Sequence, residues 1–150
     1  MLAKLIETLT GRDELERVAY KKDVAQLNEY LKRRKLLIPR KPSRFLDASE
    51  FTEEQLFEVI KKESEDLAGA EFVPWILDID GKKRLPAFSG AKKMEVFSGR
   101  ISQQIDKVFP LGGAEFFLED ITKGLDLDFV DLNPFSAKSW EICVRRRDVA

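Results

Sequence analysis

Between Phe72 and Ser89 the chain reads FVPWILDIDGKKRLPAFS, two apolar runs joined by an acidic, glycine-bearing turn and a basic return. No other stretch constrains the fold as strongly, because this pattern predicts a β-hairpin. Asp78-Ile79-Asp80-Gly81 supplies the turn, since aspartate tolerates turn geometry and glycine accepts the positive φ that tight hairpin loops require. Lys82, Lys83 and Arg84 are then expected to face back toward Asp78 and Asp80. Both flanks are apolar at successive positions and do not alternate. The hairpin is therefore expected to be covered on both faces, near the middle of the core.

The 150 residues suit one domain with one hydrophobic core, and a mixture of 43% hydrophobic and 35% charged residues predicts a globular protein with a solvated, charged surface. The opening MLAKLIETLTG is interrupted by Glu7 and lacks a small-residue cleavage site, which argues against a signal peptide. No apolar run approaches the length of a membrane span. A single cysteine, Cys143, cannot form an internal disulfide and fits a reducing cytoplasm, so a cytoplasmic protein is expected. A net charge of -1 creates no overall field toward nucleic acid or an anionic membrane. The chain has no histidine, which excludes Ser-His-Asp and Cys-His nucleophilic sites, histidine-based zinc sites and an imidazole general base.

Along the chain, Leu15, Val18, Ala19, Ala25, Leu27, Tyr30 and Leu31 predict an amphipathic helix over about 13–33, broken near Lys22-Asp23 and started by Thr10 or Asp13. Its basic end, Lys32-Arg33-Arg34-Lys35, reads as solvated charge at a helix C-terminus. Leu36-Leu37-Ile38-Pro39 predicts a short strand. Residues 41–70 then read as a helical surface insertion between strands and not as a lid. Ser49 or Thr52 caps its helix, Leu56, Phe57, Val59 and Ile60 form a stripe to about Ser64, and Glu63 to Ala70 is a polar connection. Beyond the hairpin, a short helix over Ala91–Val96, a face of Ile101, Ile105 and Val108 ending before Phe109-Pro110, a Gly112-Gly113 turn and a helix over Ala114–Lys123 are expected. Alternating Leu125 to Leu132 predicts a strand, Asn133-Pro134 a turn, Trp140 to Val144 a last strand and Arg145-Arg146-Arg147-Asp148 a polar end. The result is α+β, one domain over 1–150 with its core at about 13–144. It has a mixed or antiparallel sheet of about five strands, a central hairpin and packed helices.

The helix ending in Leu36-Leu37-Ile38-Pro39, the hairpin from Phe72-Val73-Pro74 through Asp80-Gly81, the return Leu85-Pro86-Ala87-Phe88-Ser89 and the late Asp131-Leu132-Asn133-Pro134 follow in an order that resembles a bacterial family. This is the SseB family, named for enhanced serine sensitivity, and the likeness is to its N-terminal domain over about Leu15 to Ile142. The family commonly has Phe-Thr-Ser where this chain has Phe88-Ser89-Gly90, and many members carry a further C-terminal domain, so the chain is expected to be a single-domain version. The resemblance implies a fold and no particular reaction.

Ser89-Gly90-Ala91-Lys92 has the Ser-x-x-Lys spacing of penicillin-recognising enzymes, but their Ser-Asp-Asn and Lys-Thr-Gly partners are missing, and the stretch reads better as a helix cap. Asp78, Asp80, Asp126, Asp128 and Asp131 could form a small-ligand or divalent-metal site if the hairpin turn approached the late strand. Their spacing fits no calcium loop, and a solvated face is the simpler reading. Trp75, Pro86 and Phe88 are expected near one another, and aromatic and proline residues at a sheet margin can form a groove for a partner chain. Pro74 and Pro86 lack an N–H and favour irregular or edge positions. The candidate partner-binding surface is accordingly Trp75, Pro86, Phe88, Ser89, Asn133 and Pro134, with core burial of Trp75 and Phe88 as the alternative. No catalytic residue, metal ligand or cofactor is assigned. The expected function is a non-enzymatic protein-protein interaction module, an accessory or immunity-type partner in a toxin or secretion system being the specific form. The alternative is a ligand- or metal-binding protein or enzyme using the aspartates. A nucleic-acid binder using Lys32–Lys35 and Arg145–Arg147 comes third.

Overall fold

The computed structural model describes residues 14–136 and 139–144. The first amphipathic stretch folds as two helices, α1 (Glu14–Lys21) and α2 (Val24–Arg33). The break falls at Lys22-Asp23: Lys22 has φ 52°, and the Asp23 side chain accepts the Gln26 N–H at 3.1 Å as N-cap of α2. The proposed starts Thr10 and Asp13 lie outside the described residues. Arg33 closes the helix pair on Glu14 at 2.7 Å.

Strand β1 (Leu36–Pro39) follows, then α3 (Glu53–Ala68), which runs four residues beyond the expected end at Ser64 and takes up most of the expected Glu63–Ala70 connection. Thr52 and Gln55 start it with a reciprocal capping box. Lys41 N–H donates to the Val73 carbonyl at 2.8 Å and Arg40 bridges to Pro74, so the 41–72 excursion leaves and returns at one place. The Arg40 guanidinium donates to the Leu67 carbonyl at the far end of α3 and lies 5.3 Å from the Phe72 ring centre.

The hairpin forms as β2 (Leu77–Ile79) and β3 (Lys82–Ala87), with a tighter turn than expected: Asp80 (φ 53°) and Gly81 (φ 77°) alone make the loop, and Asp78 and Ile79 belong to the strand. Nor is the hairpin central along its length. β2 is a sheet edge and the tip is exposed; only Leu85 to Phe88 is interior. The preceding run, Phe72 to Ile76, is not a β2 extension, because it crosses to β1, where the Trp75 N–H donates to the Pro39 carbonyl at 2.9 Å. The basic return also finds other partners: Lys83 binds Asp126, and Arg84 binds Asp131 and Glu141.

Helix α4 (Ala91–Ile105) is continuous through Gly99, longer than the short helix expected, and ends at left-handed Asp106. The expected helix over Ala114–Lys123 is instead strand β4 (Gly113–Phe116) and a single turn, α5 (Leu118–Thr122). Tertiary contact decides this. β4 pairs antiparallel with β1, and a Cβ on Gly113 would sit 2.6 Å from the Ile38 carbonyl oxygen. Strands β5 (Phe129–Leu132) and β6 (Trp140–Cys143) complete a four-stranded mixed sheet, β2-β3-β5-β6, in which β3 and β5 are parallel. The β1-β4 pair joins this sheet through Leu37 and Phe88, which exchange backbone hydrogen bonds of 2.8 and 2.9 Å.

That junction explains a proline inside a central strand. The Lys83 and Ala87 carbonyls face β5, so Pro86, one position out of phase, faces the opposite edge. There the β2 ladder has ended at Arg84, and β1 joins only at Phe88, so the missing N–H removes no ladder bond. Alternation also divides the interior in two. Leu36, Ile38, Leu85, Ala87, Val130 and Leu132 point to a core closed by α1, α2 and α5. Leu37, Leu77 and Phe88 point to the other face, where Trp75, Phe109 and α4 residues Met94 and Phe97 close a second core. The protein is α+β, a mixed sheet with a layer of helix on either face.

Candidate functional site

Of the six residues singled out by sequence, Trp75, Pro86, Phe88 and Asn133 are interior, and Ser89 and Pro134 are half-buried. Trp75 is 6% exposed, Phe88 0%, and Pro86 is fully buried. They cannot form a docking surface, because the groove expected among them is filled. Trp75 packs edge-on against Phe97 and Phe109, with ring centres 5.9 and 5.1 Å apart, and Phe88 packs on Phe97 at 5.2 Å. Ser89 and Asn133 tie the sheet to α4. The buried Asn133, at φ 49°, accepts the Ser89 N–H at 3.0 Å and donates its Nδ2 to the Ser89 hydroxyl at 3.1 Å. Its own N–H holds the Ala87 carbonyl. This accounts for the Ser-x-x-Lys spacing structurally: Gly90, not Ser89, is the N-cap of α4, and the serine hydroxyl is engaged by the asparagine. Pro134 is half-buried in the turn that follows, and Phe135 (φ 67°) stacks on Phe97.

The hairpin does approach the late acidic segment, and cations fill the gap. Lys83 Nζ meets Asp126 at 2.9 Å, while its N–H donates to Asp128 Oδ2 at 2.9 Å. Arg84 bonds Asp131 at 2.9 Å and Glu141 at 2.6 Å, with its guanidinium 4.2 Å from the Phe129 ring centre. Burial pushes the Asp131 carboxyl above its ordinary value, with Arg84 offsetting part of the effect. The hydrogen bond to Glu141 holds the Arg84 guanidinium more firmly protonated. Among the described residues no three acidic or cysteine side chains converge as a metal ion would require. In the basic helix end, Arg33 and Arg34 are drawn to Glu14 and Lys35 lies over the Phe117 ring; Arg145–Arg147 lie outside the described residues.

The surface that sequence reading missed is on α3. None of its residues is buried, and Phe57 is 66% exposed. Beside it runs an open trough of about 650 Å³ lined by Glu50, Phe51, Glu54, Gln55, Glu58 and Val59. Within α3 the four-residue spacing sets Glu54 and Glu58 in one row and Gln55 and Val59 in the next, while Glu50 and Phe51 come from the short 3-10 turn before the helix. That double row was readable in the sequence. Which face of α3 meets the body was not: Leu56, Ile60, Glu63 and Leu67 turn inward, leaving the acidic row free. Some carboxylates elsewhere are paired, as at Glu14, Asp47, Glu63 and Asp131. Among the described residues Glu50, Glu54 and Glu58 have no ion-pair partner.

No protein-family model matches the chain, and neither does any curated protein or solved structure.

Proposed function

We propose that this chain is a non-enzymatic protein-protein interaction module of SseB-like type, working in the cytoplasm, and that α3 is its docking element. One observation carries the reading: a capped sixteen-residue helix with no buried residue presents Phe57 and an open trough to solvent. A helix of this length is marginal on its own in water. Here its ends are held by the capping box at Thr52 and by Arg40 at Leu67, which keep the helix ordered while most of its surface stays free. The absence of histidine and the engagement of the late aspartates by Lys83 and Arg84 support a binding role over a catalytic one.

The test is a photo-crosslinking amino acid at position 57 in source cells, with position 79, an exposed isoleucine on the hairpin, as control. A discrete adduct from 57 that is missing from 79 is expected. No adduct from 57, or the same adducts from both positions, would overturn the reading.

A further inference from the structure

We infer that the α3 trough accepts a basic, amphipathic helical segment of a partner protein, an inference that rests on α3 being the docking element. Three observations converge on this occupant. The first is charge. Glu54 and Glu58 are like charges one turn apart on α3, Glu50 adds a third in the short 3-10 turn before it, and among the described residues no lysine or arginine lies within ion-pair distance of the three. The dipole at the α3 N-terminus offsets this for Glu54 but not for Glu58, a full turn further on. Lys61 and Lys62 end the acidic run, so the complementary stretch needs two or three cations.

The second is shape. All six lining residues come from one ten-residue stretch, four on the first turns of α3 and Glu50 and Phe51 in the turn that leads into it, so the trough is open along one segment and does not enclose a small molecule between distant elements. It suits a chain laid lengthwise, with Phe51 and Val59 beneath apolar residues of the partner. The third is hydrogen bonding. Extended peptides gain affinity by adding to a sheet edge, and α3 offers none; a helical partner satisfies its own backbone and needs only side-chain contacts. Cations spaced i, i+4 on such a helix advance about 6 Å, the same rise that separates Glu54 from Glu58 on α3.

The probe is a designed helical peptide of about twenty residues with lysines at i, i+4 and i+8 and leucines in the adjacent row, beside a version with every lysine replaced by glutamate. Fluorescence anisotropy should show the basic peptide binding at least about tenfold more tightly than the acidic one at low salt, with the difference shrinking as salt screens it. Glu54→Lys/Glu58→Lys should reverse the preference and bind the acidic peptide. Because α3 buries no side chain the variant should keep its fold, with circular dichroism as the check, and the milder Glu58→Gln should lower basic-peptide affinity severalfold. Equal binding of the two peptides, or a preference unchanged in the reversed variant, would overturn the inference. If crosslinking from position 57 still captured a defined partner, the interaction reading would stand and only the basic helical occupant would fall.

Discussion

Glu16 is a carboxylate that the fold takes inside, 6% exposed on α1, and Lys93 of α4 pairs with it. Coulomb attraction across this pair must balance the desolvation of both groups. Lys93→Met, which removes this cation from a buried carboxylate, should lower stability in urea unfolding by about 1–3 kcal/mol, and Glu16→Gln in the same background should recover part of it. A double variant as unstable as the single would show that the charge is not what matters. Asp131 gives a pH signature. Its folded pKa is raised above the ordinary 3.8, so between these values the native state holds the proton more firmly, and the residue's contribution to stability falls as pH rises. Asp131→Asn should therefore gain on wild type as the pH rises from below 3.8 through the raised value. A gap moving in wild type's favour would contradict the burial argument. At Gly113, alanine would push a methyl group against the Ile38 carbonyl and should cost about 1–3 kcal/mol.

Among the elements, α3 depends least on the interior. Thr52→Ala should cost about 1 kcal/mol locally and speed hydrogen exchange in its first turns about fivefold, with β3 amides unaffected. Equal acceleration in β3 would mean that α3 opens only with the whole molecule. Helices with local signals were legible in sequence: the break at Lys22-Asp23 and the Thr52 cap both announce themselves within four residues. Elements set by distant contact were not. Phe116-Phe117-Leu118 suits helix or strand, and only the approach of Gly113 to Ile38 makes the stretch a strand. Trp75 and Phe88 were legible as a pair, but a composition rich in aromatics describes a groove and a filled core equally well. Burial by Phe97 and Phe109 decides for the core.

At the scale of the whole molecule, two cores share one sheet, and each has its own tryptophan: Trp75 in the α4 core, and Trp140 against the core of α1 and α2. Trp140→Phe and Trp75→Phe each leave one reporter. In each variant the remaining fluorescence change should coincide with loss of far-ultraviolet ellipticity, because β3 and β5 belong to both faces and cannot unfold on one side alone. Separated midpoints would show two units where one is expected. The β3-β5 seam also sets a tempo. The β2-β3 hairpin can zip from a two-residue loop, whereas Lys83 and Asp128 meet across 45 positions. Closing that loop spends chain entropy before any contact across the seam returns it, so the barrier to folding lies at the seam. Destabilising Val130 should slow refolding, whereas fraying α3 should mainly hasten unfolding. With no side chain buried in either core, α3 should settle last and open first, while the body stays folded.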